Sequence, residues 1–584
     1  MQLPLVRAAE LHVGSGQTYT TIQAAINDAT DGDTIIVHPG TYNEVITINK
    51  GLRIIGAGAD TTIIKGASNP VPVVTIDATK DVTFSGFTIT DATKNAYGES
   101  FGMLAKQTSP TEGATYTISN CKFVGTNNPS ASGEFQFYIS GGKETIVFTR
   151  NVITQYSGNA IVSEIHTGPT EISYNTFEAP LSASKPADVI FFMTYGGKDV
   201  TTLQKIAYNT FNMGTASLKS TAVSFAAPGP GSAQGNAKFT NILITENTFV
   251  NLKNDGRAIT FWNGHVGYPQ PPSKQDNIIS PIVTNNKIQG IPGSQRSYGI
   301  NFYDDYGSTT GAKIIGNTIT GMDYGIYLRA GDAPNTIINF NNIYGNTHGV
   351  DWQLGATAVN AEHNWWGSAT GPTHESNPVG TGDSVSNNVD FTPWLTAPLS
   401  GVDSKTVPAG ATTTVGSKDL GVSADVTTTT GTPTVTVATY TSNPGGKPTF
   451  SALGKYVDVQ IDNAAGVTQI LIKVYYTDAE VAASGITEST LKLYWWTGSA
   501  WVACSDTGVD TVNNYIWARI TATSTPNLNQ LVGTILGGGG VKPAPVGGYV
   551  VPVSKVSILA PYLALFGLAG AAAVVVVKLR RRKA

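Results

Sequence analysis

Asp304 and Asp305 are adjacent in "YGINFYDDYGS", and Arg329 follows in "YGIYLRAG". Two carboxylates beside a guanidinium are a minimal set for acid and base work on a glycosidic bond. An Asp-Asp pair in a Tyr/Gly-rich stretch is equally the composition of a solvated turn. These three residues therefore stand only as catalytic candidates, and enzymatic activity is left open at this point. A wider set suits binding. If Ile161, Ile259, Ile300, Ile326 and Val350 are the inward residues of short alternating strands, the positions one and three later point outward. The third-position column is then Glu164, Trp262, Tyr303, Arg329 and Gln353, and the first-position column includes Asn301, Tyr327 and Asp351. Aromatic rings beside amides, carboxylates and guanidinium groups recognise polysaccharide by stacking and directed hydrogen bonds. Tyr and Trp are also favoured on ordinary β-surfaces, so the same column fits a plain strand face. No metal or cofactor is expected, and Ca²⁺ has no denser acidic cluster to bind than Asp304 and Asp305.

The elements that would position these side chains announce themselves as a repeat. Asn-x-(Ile/Phe) recurs at Asn151, Asn175, Asn209, Asn247, Asn286, Asn317 and Asn341, with Asn120 in "NCKF" departing slightly. The shortest spacings are 24 (151 to 175, 317 to 341) and 23 (341 to 364), and the longer ones are that unit plus insertions. In phase with it run "GNAIVSE", "GRAITFW", "YGINFYDD", "YGIYLR" and "HGVDWQ", each a short alternating segment led by Gly or another small turn residue. Short strands and a period in the low twenties, without helical periodicity between them, mean a solenoid of stacked coils, a parallel β-helix over residues 12–400. Ile and Phe would form an inner apolar column, and Asn at a turn would adopt left-handed geometry and bond to its equivalents. "TIQAAINDATDGD" supplies an amphipathic cap helix over about 21–30, with Ile22, Ala25, Ile26 and Ala29 on one face. At the far end, "HNWWGSATGP" puts Asn364 on the last rung. Trp365, Trp366, Gly371 and Pro372 then form a structural cap, with Trp366 roofing the column and Gly-Pro turning the chain out.

Composition narrows the class. Charged residues are 13% of the chain, against roughly 25% in average soluble proteins. The net charge of −4 gives no basic field, so nucleic acid is not expected as a partner. Cys121 and Cys504 form no disulfide framework and are read as small buried hydrophobes.

After residue 400 the Asn repeat gives way to Thr/Val alternation with Gly, Pro and Asn turns, which predicts an antiparallel β-sandwich over 401–536. Within it "LKLYWWTGSAWVAC" reads as a hairpin with its turn near Thr497–Ala500. Residues 537–555 read as a Gly/Pro linker. The run 556–577 carries no charge and would span ~33 Å as a helix, enough to cross a bilayer. "KLRRRKA" behind it should stay cytoplasmic, leaving the N-terminal part outside the cell. Residues 1–11 form an N-terminal segment without the apolar stretch of a secretory signal.

"YTTIQAAINDATDGDTIIVHPGTYNEVITINKGLRIIGAGADTTII" resembles the start of pectin methylesterase-like and other pectin-lyase-type right-handed β-helices. "GTYNE" matches their Gly-x-Tyr-x-Glu motif at Gly40, Tyr42 and Glu44. The later coils resemble NosD-type repeats, and similar Asn-Trp-Trp-Gly and Gly-Pro strings close other right-handed β-helices. The sandwich and C-terminus resemble domains of archaeal surface proteins. The resemblance implies a right-handed parallel β-helix followed by a sandwich, a single membrane span and a cell-surface setting. The catalytic strings of pectin methylesterases are missing, and of the polygalacturonase set only Asp304–Asp305 and "THG" at 347–349 are present. The expected function is therefore structural, adhesive or polysaccharide-binding, with an extracellular polysaccharide or another surface protein as partner. The alternative is a lyase, hydrolase or esterase acting on uronate polymers.

Overall fold

The computed structural model describes residues 8–66, 71–92, 99–106, 113–125, 133–156, 158–178, 188–214, 220–227, 237–263, 275–304, 307–329, 335–353 and 357–543. Three long sheets of 14, 13 and 11 strands are built so that each coil adds one strand to each sheet, always in parallel register. This part of the chain is a parallel β-helix. Its interior is one continuous apolar column in which equivalent residues stack, as with Phe177, Phe211 and Phe249 at ring-centroid spacings of 4.7 and 4.8 Å. That is the inter-strand repeat itself.

The Asn repeat is an internal hydrogen-bond ladder. Asn151, Asn175, Asn209, Asn247, Asn286, Asn317, Asn341 and Asn364 are each 0–1% exposed. Each side-chain oxygen accepts the backbone N–H of the rung below, from Cys121 N (2.9 Å) at the first to Asn341 N (2.9 Å) at the last. Each amide nitrogen donates to a strand carbonyl, as Asn175 Nδ2 does to Phe148 O at 2.9 Å. Cys121 thus occupies the first rung position in place of an asparagine. The expected left-handed geometry lies one residue earlier than the sequence suggested. Asn120, Arg150, Tyr174, Tyr208, Glu246, Asn285, Phe340 and His363 all have φ between 53° and 58°. The corner is made by the residue before the rung, which leaves the asparagine free to point inward.

The cap helix is Ile22–Asp28, with Ile22, Ala25 and Ile26 fully buried and Ala29 beside them. The "GTYNE" motif fastens it. Glu44 accepts the N–H groups of Ile22 (2.8 Å) and Gln23 (3.0 Å) at the helix start, and Tyr42 donates to His38 O (2.7 Å). A carboxylate at a helix N-terminus satisfies orphan donors. In this chain those residues are architecture.

At the other end Trp366 is fully buried, the largest side chain to be so. It does not roof the column: strands Gly382–Val385 and Val389–Asp390 continue two of the sheets beyond it. Trp366 is a plug between coils, with Gly349 making room for its ring, where a Cβ would be 3.0 Å from Cζ3, and Gly382 making room for its backbone, where a Cβ would be 2.4 Å from the Trp366 carbonyl oxygen. Trp365 is half-buried against the junction with the second domain. Gly371 (φ 79°) lies under Trp394, and Pro372 opens the edge strand Pro372–Thr373, so Gly-Pro does not lead the chain out.

From Leu399 to Gly540, six- and five-stranded antiparallel sheets enclose a separate core. The strand Leu399–Thr406 pairs with Thr434–Tyr440, that with Ser451–Ile461, and that with Val532–Gly540. The predicted hairpin is present, with Thr497 N bonded to Ala500 O at 3.0 Å. The glycines 537–540, read from sequence as the start of a linker, are the buried end of the last strand. Rings replace their missing side chains: a Cβ at Gly537 or Gly539 would meet Trp501 and Tyr456, or Phe450, at 3.1 Å or less. Among the described residues no helix is long and apolar enough to cross a membrane. The run 556–577 and the basic tail lie outside the described residues.

Both cysteines are free and buried, and burial pushes their thiols up to about 12. Glu144 is also fully buried, and desolvation raises its pKa to about 7 against the opposing pull of the Glu144 and Lys143 backbone groups. The folded protein therefore holds this proton where the unfolded chain, with an ordinary carboxyl, releases it. The contribution is fully present below the unfolded value and lost as pH rises through about 7. We predict that Glu144→Gln gains stability relative to wild type as pH is raised from about 4.5 to about 7. Urea midpoints across that range provide the check, and a difference that stays flat with pH would refute it.

Candidate functional site

The outward face of the 13-stranded sheet carries most of the predicted residues. Strands Arg257–Asn263, Tyr298–Asp304, Tyr324–Leu328 and His348–Trp352 lie in register, placing Trp262 beside Tyr303 and Asn301 beside Tyr327, which in turn faces Asp351. Arg329 and Gln353 continue the Trp262–Tyr303 column through the bonds Arg329 N to Phe302 O (3.1 Å) and Gln353 N to Leu328 O (3.3 Å). Arg329 lies over the Tyr303 ring, its Cζ 4.3 Å from the centroid. Tyr327 Oη donates to Gln353 Oε1 (3.3 Å), and Gln353 Nε2 donates to Asp351 Oδ2 (3.2 Å).

Sequence alternation missed the strongest feature of this face. Arg257, Tyr298, Tyr324, His348 and Ser384 form a further outward column. Tyr298 and Tyr324 stack at 5.2 Å, Tyr324 and His348 at 4.8 Å, and the Arg257 Cζ is 5.6 Å from the Tyr298 centroid. Tyr327 leans against both tyrosines at 5.2 and 5.0 Å, tilted by 55° and 67°. His348 Nδ1 is 3.0 Å from Ser384 Oγ. The glycine after each ring creates the column. Gly299 turns inward like Ile300, its absent Cβ lying 2.8 Å from Ile319 Cγ2 and 2.4 Å from Gly325 O. Two inward residues in succession break the period of two, so the residue before them faces out. The signal was the recurring Tyr-Gly, Tyr-Gly, His-Gly.

The stack determines what is offered to a ligand. Parallel rings cover one another's faces, so Tyr298, Tyr324 and His348 present edges and polar atoms, while the tilted Tyr327 breaks that order. Burial, with Asp323 and Asp351 nearby, holds the Tyr324 hydroxyl above its ordinary pKa, and burial does the same for Tyr298 and Tyr327. These groups remain neutral donors.

Other candidates are not brought in. Asn301 is 1% exposed and its Oδ1 meets no partner. Its column neighbours Ser224 and Thr260 are equally covered, because alternation fixes the direction of a short side chain and not what larger neighbours bury. Glu164 lies three rungs from Trp262 through Met193 and Ala226, ~14 Å along the axis. There it accepts the Tyr195 hydroxyl and borders a separate groove of about 560 Å³ with Phe101, Phe135, Tyr138 and Lys106. Asp304 ends its strand, and its side chain, like the whole of Asp305, is outside the described residues. Among the described residues no three His, Cys, Asp or Glu side chains form a group suited to a metal ion.

No family model matches the chain. A cell surface glycoprotein of Methanothermus fervidus is 39% identical over 95 residues, so the chain spans 16% of that relative's length with 16% of its own. Among solved structures, a mannuronic acid specific polysaccharide family 6 lyase from human gut microbiota aligns with 60% of this chain and 82% of its own, at 13% identity and a TM-score of 0.35. The tailspike gp49 of Acinetobacter baumannii bacteriophage Fri1, a capsular polysaccharide depolymerase, covers 92% and 85% at 11% identity and a TM-score of 0.31.

Proposed function

We propose that this is a cell-surface protein, anchored through residues 556–577, whose β-helix binds an extracellular polysaccharide along the outward face from Trp262 to Gln353. The observation that carries it is the continuous set of rings, with Arg257, Arg329, Asp351 and Gln353 among them, along coils of one sheet. A regular ladder at the coil spacing suits a regular polymer, and its edge-on rings favour hydrogen bonding over broad face stacking. The name of the Methanothermus fervidus relative supports the surface setting, and the uncharged run followed by five cations supports the anchor.

Affinity electrophoresis of the full chain through gels of neutral and uronate polysaccharides tests the proposal. The double variant Tyr324→Ala/Tyr327→Ala should bind at least roughly tenfold more weakly, as expected when central aromatic contacts are removed, with an unchanged far-ultraviolet circular dichroism spectrum. Undiminished retention would overturn the assignment of this face. Release of reducing ends or unsaturated uronate products would establish the enzymatic alternative instead.

A further inference from the structure

The β-helix and the sandwich meet across an apolar cluster that includes Phe340, Leu399 and Tyr440, and Asn342 exchanges two 2.9 Å hydrogen bonds with the Leu399 backbone. Beside this contact is a cavity of about 550 Å³, within the size range of small-molecule sites. Its polar lining comes from both domains: Lys313, Asn360, Glu362 and His363 from the helix, Gln460 and Asp462 from the sandwich.

These groups are only partly engaged with one another. Lys313 Nζ reaches Thr434 Oγ1 at 3.4 Å, and Glu362 Oε2 is 3.5 Å from Asn360 Nδ2. Asp462 accepts Thr434 N through Oδ1 at 2.8 Å. His363 is 5% exposed and its Nδ1 meets no partner. The ring is deliberately seated, stacked on Phe340 at 5.3 Å, while Gly533 (φ 85°) makes room where a Cβ would be 2.1 Å from Nε2. Desolvation lowers the His363 pKa to about 4, so the ring is neutral near pH 7.

We propose that this cavity binds a neutral saccharide unit and thereby fixes the sandwich against the β-helix. Two carboxylates disfavour an anionic ligand. Carboxylates, amides and an ammonium together match the donors and acceptors of vicinal hydroxyls, and Ile337 and Pro393 offer a surface for the C–H side of a sugar ring. The helix side of the cavity lies on the 14-stranded sheet, with Lys313–Ile315 and Ile337–Asn339, away from the tyrosine ladder. The two sites are therefore independent.

Glucose, galactose, mannose, N-acetylglucosamine and cellobiose, offered to the full chain in detergent, are the probes. At least one should give saturation-transfer signals and raise the melting temperature by mass action. Lys313→Ala/Gln460→Ala should weaken that binding at least roughly tenfold, since contacts from both walls are lost. Tyr324→Ala/Tyr327→Ala should leave it unchanged. The proposal is overturned if none of the five sugars binds, if binding survives Lys313→Ala/Gln460→Ala, or if it disappears with the tyrosine pair.

Discussion

Asn286→Leu is expected to cost the β-helix several kcal/mol, more than its small change of volume suggests. The Asn286 oxygen accepts both Asn247 N and Asn247 Nδ2 at 3.0 Å, and its Nδ2 donates to Ile244 O at 2.9 Å and to Asn317 Oδ1 at 3.0 Å. Leucine leaves Asn247 N and the Ile244 carbonyl without this partner in a dry interior, while Asn247 Nδ2 keeps its bonds to Ile206 O (2.9 Å) and Thr245 O (3.0 Å). Each orphaned group costs about 1–3 kcal/mol, so a total of about 2–6 kcal/mol is expected for the two. Asn286→Asp keeps the acceptor, loses the donor and adds a buried charge, so it should be no better than leucine. Urea midpoints of the two variants test this. A loss below about 1 kcal/mol for leucine would mean that water enters and repairs the ladder.

Trp366→Ala should destabilise the protein by about 3–5 kcal/mol, the range for removing a buried large aromatic. Gly349 lies against the indole, where a Cβ would be 3.0 Å from Cζ3, and has no side chain with which to refill its space. Trp366→Phe should cost far less, because the indole Nε1 has no hydrogen-bond partner to lose. Trp365→Ala, at a half-buried position, should be milder than Trp366→Ala. Equal losses for Trp365→Ala and Trp366→Ala in calorimetry would contradict the plug.

The repeat was legible because the ladder demands one residue type at one place in every coil, so Asn151 to Asn364 can be read off by spacing. Direction along each strand was legible too, which is how Trp262, Tyr303, Tyr327 and Asp351 could be placed on one outward face. What failed was whatever depended on a break in alternation or on cover. The Tyr298–Tyr324–His348 column needs a double inward step at glycine, which no period of two contains. Asn301 was placed on the correct face and then buried by its neighbours. Gly537–Gly540 looks like a linker in isolation, and only rings supplied from Trp501, Tyr456 and Phe450 make it a strand. Glu44 was recognisable as part of a motif, but its work on the cap helix appears only when residues 22 and 44 are seen together.

The order of strands in the sandwich has a mechanical meaning. Three antiparallel steps separate Leu399–Thr406 from Val532–Gly540, so the strand that enters from the β-helix and the strand that leaves run in opposite senses. Entry and exit consequently lie at the same end of the sheet, with Leu399 level with Tyr440 and Gly537 level with Tyr456. With both ends on one side, the domain adds little reach between the strand that enters and the strand that leaves. Tension applied between those two ends would load the sheet in peeling, with hydrogen bonds rupturing in sequence from that edge.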